Sequence, residues 1–370
     1  MSLRRVLAAV CVVALTASVP ATSYAQEKGQ EKGQEAGQPQ QRKLSNDERR
    51  EYMALSELVD DVIAGKQPAP ADVKVKFQNH FLKSDNTVYV PYILEVTGGT
   101  FSAFPVAMYV RAVQKEPAAA APAAAATAKG EKPGEKPADK PADKPVEFPF
   151  QDVYFLTDKN ITTVGEGAEI ARALALPPGE YNLHIALRER QPKDKKQAPA
   201  KSVVFTHPLT VPDMSKALTT SSVIIAKTLD PAPEQLTGQQ QLEQPFTISG
   251  YKIVPSFTPS IPQSGELLFV FFIYNEGVAA SGKPDLEVEY HFFRAAEEKP
   301  FTRLASTSFN ATTLPGQFDL NAGHQVFVGQ GIPLKSAQMT FAPGEYRLEI
   351  KITDKTNSQT ITRNVPFTVS

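Results

Sequence analysis

The chain has no tryptophan, and its one cysteine, Cys11, lies in an apolar run close to the N-terminus. That run, 6–19, follows Arg4 and Arg5 and precedes Ser23-Tyr24-Ala25. Charged, apolar and small-residue regions in this order predict a secretory signal, 1–25, cleaved after Ala25 and directing the chain to the periplasm or beyond. The remaining chain then has no thiol, which excludes cysteine nucleophiles, cysteine zinc sites and disulfide scaffolding. Charge of one sign is also lacking: the formal charge is −1, and loss of Arg4 and Arg5 takes it to −3. Lys and Asp or Glu alternate closely, so there is no basic patch for nucleic acid. No run after the signal reaches the roughly 20 apolar residues of a transmembrane helix.

What is present is an internal repeat. Pro178-Gly179-Glu180-Tyr181-Asn182-Leu183-His184-Ile185 returns as Pro343-Gly344-Glu345-Tyr346-Arg347-Leu348-Glu349-Ile350. Pro-Gly makes a turn, and the alternation after it puts Tyr181, Leu183, Ile185 and Leu187 on one face of a strand. Tyr346, Leu348, Ile350 and Ile352 do the same in the second copy. A Tyr heading a strand after a tight turn suggests a tyrosine corner, the alternative being a plain aromatic core residue. Seven strands are expected in each copy: 73–82, 87–96, 105–113, 148–156, 168–176, 180–187 and 202–211, then 251–257, 266–274, 285–293, 301–309, 325–334, 345–352 and 358–369. The fold expected is therefore all-β, with two tandem immunoglobulin-like β-sandwiches at 73–212 and 245–370.

Other segments frame these units. Residues 26–44 lack apolar groups to bury and read as a disordered leader. Ser45 and Glu48 form a capping box, and Tyr52, Leu55, Leu58, Val59, Val62 and Ile63 recur at helical spacing, which predicts one short amphipathic helix over 45–65 packed on the first sandwich. The Ala-rich and Lys-Pro-rich stretch 115–146 has linker composition. Aligning Met108-Tyr109-Val110-Arg111 with Glu289-Tyr290-His291-Phe292 instead makes it a disordered loop insertion within the first sandwich, with the interdomain linker at 213–244.

No residue pattern points to catalysis. His80, His184, His207, His291 and His324 fall on separate strands or loops without paired-ligand spacing, and His80 and His324 are the first to inspect. Ser249-Gly250-Tyr251-Lys252 and Ser84-Asp85-Asn86 match two boxes of penicillin-recognising enzymes, but in the wrong order and without the helix that chemistry needs. Asp60 and Asp61 diverge on the helix, and 354–358 reads as a solvated turn without calcium-loop spacing. Phe272 and Phe293 fall on the outward parity of their strands and would either cover an interdomain face or mark a contact patch. No catalytic residue, metal site or cofactor is assigned, and the binding residues are unknown.

Gly282-Lys283-Pro284-Asp285 before a Val-Glu-Tyr strand, Ala322-Gly323-His324-Gln325, and the run from Pro343 to Lys355 give residues 221–370 a resemblance. This region resembles the C-terminal sandwich of secreted bacterial proteins related to von Willebrand factor type A. The metal-adhesion motif of that family, Asp-x-Ser-x-Ser, does not occur, so the resemblance implies an exported companion module without metal-dependent adhesion. The expectation is a non-catalytic binding or scaffolding protein of the bacterial envelope acting through protein contacts. The alternatives are a carbohydrate- or cell-wall-polymer-binding module, which the absence of Trp disfavours, and a hydrolase with an unrecognised site.

Overall fold

The computed structural model describes residues 44–66, 74–97, 107–115, 148–156, 161–164, 167–189, 201–232, 236–336 and 339–370. The signal, nearly all of the leader and the insertion beyond Lys115 lie outside them. The described chain is all-β, with four sheets and one helix longer than two turns.

The first unit has two antiparallel sheets. One orders Lys74–Asn79, Thr87–Thr97, Gly167–Leu176 and Ile161–Val164, with Leu82–Ser84 also on Thr87–Thr97. The other orders Phe150–Phe155, Ala107–Gln114, Gly179–Arg188 and Ser202–Val211. Val90, Tyr92 and Leu94 from the first sheet meet Val110, Leu183 and Ile185 from the second in one apolar cluster. Ala107–Gln114 and Phe150–Phe155 pair directly as hairpin arms, so the low-complexity stretch connects two adjacent strands of one sheet.

The second unit begins earlier than its expected start at 245. The 213–244 stretch, read as linker, contains strands Thr219–Thr220 and Ile224–Pro231 and the short helix Gly238–Glu243. Both strands pair with Glu266–Tyr274, whose other side is taken by Val326–Pro333; Tyr251–Pro255 and Thr247–Ile248 continue beyond Ile224–Pro231. The facing sheet runs Ser260–Ile261, Gln359–Val369, Gly344–Asp354, Leu286–Arg294, Thr302–Arg303, with Thr307–Phe309 also on Leu286–Arg294. Phe269, Phe271, Tyr290, Phe292, Leu348 and Ile350 fill the space between these sheets.

Both repeat tyrosines are buried, at 1% and 4% exposure, and each hydroxyl bonds the carbonyl four residues upstream. Tyr181 donates to Pro177 O at 2.9 Å and Tyr346 to Ala342 O at 2.7 Å. Strand register corrects the repeat alignment by one residue. Val110 lies opposite Ile185 as Tyr290 lies opposite Ile350, so Val110 rather than Tyr109 is the counterpart of Tyr290.

That shift turns Tyr109 to the outside of its sheet, where the helix Asn46–Ile63 covers it. Ser45 caps this helix with the expected capping box, and Leu55 and Val59 pack on Ala107, Tyr109, Ala186 and Val204. The other outer face of the first unit is lined by Ala171, Ala173 and Ala175, small enough for the helix Gly238–Glu243 of the second unit to approach. Tyr89 fixes that approach, donating to Gln241 O at 3.0 Å or Pro245 O at 3.1 Å. Phe246, Ile253, Val270, Phe272, Tyr274 and Phe327 join the apolar cluster of the first unit, so its core runs without a break into the joint.

Candidate functional site

The residues singled out from the sequence do not converge. His80 is 8% exposed in the joint, stacked on Phe257 at 4.7 Å and edge-on to Phe246 at 6.2 Å. Its Nε2 has no partner, and burial holds its pKa down at about 4, so the ring is neutral. His184 meets Thr206 at 3.1 Å, and burial followed by the nearby Arg111 lowers its pKa. His207 packs on Phe77 at 4.8 Å, and His324 accepts the Asp319 amide on Nδ1 at 2.9 Å. His291 sits between Glu289 and Glu349 on the outer face of the last sheet, at 3.4 and 3.3 Å. Among the described residues no three His, Cys, Asp or Glu side chains are grouped to hold a metal, and no helix is long and apolar enough to cross a membrane.

The two serine-containing matches are hairpin turns. Ser249 and Gly250 have φ of 52° and 77° between Thr247–Ile248 and Tyr251–Pro255, as the two central residues of a tight hairpin turn require. Asp85, at φ 35°, turns Leu82–Ser84 back onto Thr87–Thr97. Asp60 and Asp61 diverge as expected: Asp61 meets Lys66 at 3.1 Å, whereas Asp60 bonds Arg111 on the sheet beneath.

Asp354 corrects the reading of its turn as solvated surface. It is 0% exposed, accepting Gly277 N at 2.6 Å on one oxygen and Thr356 N and Oγ1 at 2.9 and 2.6 Å on the other. A Cβ on Gly277 would fall 1.8 Å from Thr356 Oγ1, so this closure needs glycine. The two outward aromatics part company. Phe272 is buried in the joint, while Phe293 lies beneath the Arg347 guanidinium, 4.0 Å from the ring centre.

Three arginines went unread because each stands alone at a strand parity that is otherwise apolar. Arg111, 3% exposed, donates to Tyr109 Oη at 2.8 Å and Ser56 Oγ at 2.9 Å and bonds Asp60, pinning the helix to the sheet. Arg172, 2% exposed, points inward, lies over Tyr154 at 5.2 Å and bonds only the Ala171 carbonyl, leaving Nε without a partner. Arg363 likewise takes a core-facing position in Gln359–Val369. A charge at apolar parity was the available signal.

With helices or the other unit on three of the four outer faces, one outer face and the strand edges remain. That face, on the last sheet, carries a ladder of ion pairs: Lys355 with Glu287 at 2.9 Å, Lys351 with Glu289 at 2.7 Å, and Arg347 with Glu349 at 3.4 Å. Such exposed pairs contribute little each, and they tie up most of the charge along the centre of this face.

The edges differ from one another. A bare edge offers unpaired N–H and C=O groups to any extended chain, and proteins guard it with lysine, proline or inward charge. Lys74 and Lys76 stand on Lys74–Asn79, Asp152 on Phe150–Phe155, Pro208 on Ser202–Val211, and Arg363 and Pro366 on Gln359–Val369. Val326–Pro333 has none of these devices before its terminal Pro333. Its residues pair with Glu266–Tyr274 along one side only, and among the described residues no main-chain hydrogen bond reaches the other side. The seven uncharged, unguarded residues ahead of Pro333 are the candidate site.

The chain matches no family model and no curated protein.

Proposed function

We propose that this chain is an exported binding or scaffolding protein of the bacterial envelope that works by accepting an extended segment of a partner protein along Val326–Pro333. The observation that carries this reading is the unguarded edge, because every other long edge strand among the described residues bears a guarding residue. Strand addition there supplies affinity through main-chain bonds, and the alternating side chains of the guest supply selectivity. A sugar-stacking platform finds less support. Among the described residues the large exposed apolar side chains are Met53, Ile63, Val254, Val278 and Phe301, a set with one aromatic ring where a stacking surface needs several. The immunoglobulin-like character of both units, and the likeness of 221–370 to a companion module, belong to the same proposal.

A photo-cross-linking residue replacing Pro333 tests the reading in the native envelope. A covalent protein adduct is expected, and Gly329→Lys should abolish it while leaving the thermal transition in place. A Cβ at Gly329 meets Phe327 and Val270 at ordinary contact distances of 3.6 and 3.7 Å, and the lysine stem is long enough to reach water. Retention on cell-wall polysaccharide with no protein adduct would overturn it.

A further inference from the structure

Arg363 shares the inward parity of Ile361, Val365, Phe367 and Val369, yet every bond it makes is to a neutral oxygen. Nε donates to Thr220 Oγ1 at 2.8 Å, Nη2 to Thr219 Oγ1 at 3.0 Å, and Nη1 to the Thr362 carbonyl at 3.1 Å. Among the described residues no carboxylate lies within ion-pair distance of it. Partial burial lowers its pKa, as expected of a half-buried cation with no counter-charge beside it. Those bonds commit three of the five guanidinium N–H donors and leave two. Thr219 and Thr220 accept from the arginine, so each keeps its own hydroxyl proton to donate elsewhere.

Beside this group opens a cavity of about 430 Å³, walled by 212–214, 219–223 and 363–366. Met214, Val223, Val365 and Pro366 make it largely apolar, and the hydroxyl-bearing strand Thr219–Thr220 makes the polar side. Asp213, the one carboxylate on the wall, is already engaged by Ser215 N at 2.9 Å and Ser215 Oγ at 2.5 Å, with Lys216 at 3.6 Å.

We propose that this cavity binds an organic carboxylate, its head on the free N–H groups of Arg363 and the threonine hydroxyls, its apolar body against Met214, Val223 and Pro366. A guanidinium donates charge-assisted hydrogen bonds to a carboxylate in a planar geometry that water-facing lysines cannot match. An apolar-walled cleft with a few convergent polar groups is the usual form of a small-ligand site. The proposal stands whether or not the Val326–Pro333 edge takes a guest strand.

Titration of the full exported chain with isovalerate, acetate and inorganic phosphate, followed by amide chemical shifts, is the test. Isovalerate is expected to move the amides of 219–223 and 363–365, with acetate roughly tenfold weaker for want of apolar contact and Arg363→Gln at least tenfold weaker again. Asn364→Asp, an exposed change at the rim, should weaken isovalerate severalfold with the fold intact, and it decides the matter if Arg363→Gln does not fold. Unmoved amides, an unchanged response in Asn364→Asp, or phosphate binding more tightly than isovalerate would overturn the proposal.

Discussion

Phe81 and Ser222 hold each other by two hydrogen bonds across 141 residues of chain: Phe81 N donates to Ser222 Oγ at 2.9 Å, and Ser222 N donates to Phe81 O at 2.9 Å. The pair stitches the edge of the first unit to the chain entering the second. Ser222→Ala leaves the Phe81 amide without an acceptor at a part-buried site and should cost about 1–2 kcal/mol by urea denaturation. Ser215→Ala, which removes an exposed local bond to Asp213, should cost less than about 0.5 kcal/mol. Equal losses would refute the role given to the reciprocal pair.

The joint also holds two groups of opposite pH response. An unfolded imidazole titrates near 6.5 and folded His80 near 4, so between those values the unfolded chain takes up a proton that the folded chain refuses. Stability from this group therefore falls as pH drops from 6.5 to 4, by about 3 kcal/mol in all. Glu276 runs the other way. Burial, with repulsion from Asp354, raises its carboxyl from 4.5 to about 7, so the folded chain keeps a proton that the unfolded chain has released. Its contribution rises as pH drops from 7 to 4.5, by a similar amount. Wild-type stability should be nearly level over pH 6.5 to 4.5, His80→Phe should gain stability on acidification, and Glu276→Gln should lose it. Denaturation midpoints at pH 7, 6 and 5 give the slopes, and parallel slopes for the two variants would count against both assignments.

How far the sequence carried is clearest at the strands that follow Pro-Gly. There local turn chemistry and period-two burial agree, so Tyr181 and Tyr346, their facing residues and the hairpin around the insertion could be read directly. The Ile224–Pro231 strand was missed because its apolar run, Val223 to Ala226, is four residues long and its strand character comes from pairing with Leu268, Phe269 and Val270. The candidate edge was hidden for a related reason. Val326–Pro333 reads as an ordinary strand, and only the sheet order shows that nothing lies beyond it. The small residues Ala171, Ala173 and Ala175 gave no sign of an interface, since alanine signals close approach only once its partner is known.

The two tyrosine corners offer a matched pair of tests. Tyr181→Phe and Tyr346→Phe each remove a single hydroxyl and leave the ring in place, so each should cost about 0.5–1.5 kcal/mol. If the two copies unfold as one body through their shared joint, both losses appear in a single transition. If the units unfold separately, each variant lowers only its own transition, and calorimetry distinguishes these outcomes. A loss below about 0.3 kcal/mol in both would mean that the hydroxyls turn to water at no cost.

The N-terminal helix makes the last case, because it covers the outward face of Gly179–Arg188. His184 and Ala186 on that face are buried, and the chain's own Leu55 and Val59, both 0% exposed, pack on Ala186. Leu55→Ala should cost about 2–4 kcal/mol by transfer and cavity terms together. With Arg111 still bonded to Ser56 and Asp60, the loss should weaken docking of the helix and leave the sheets intact. Hydrogen exchange would then quicken through Asn46–Ile63 while the amides of Gly179–Arg188 keep their protection. Adding Arg111→Met should loosen the helix further, since the polar clamp and the apolar stripe are two of its attachments and the Glu51–Arg188 ion pair at 3.6 Å is the third. Helix amides that stay protected in the double variant would show that a further contact holds it.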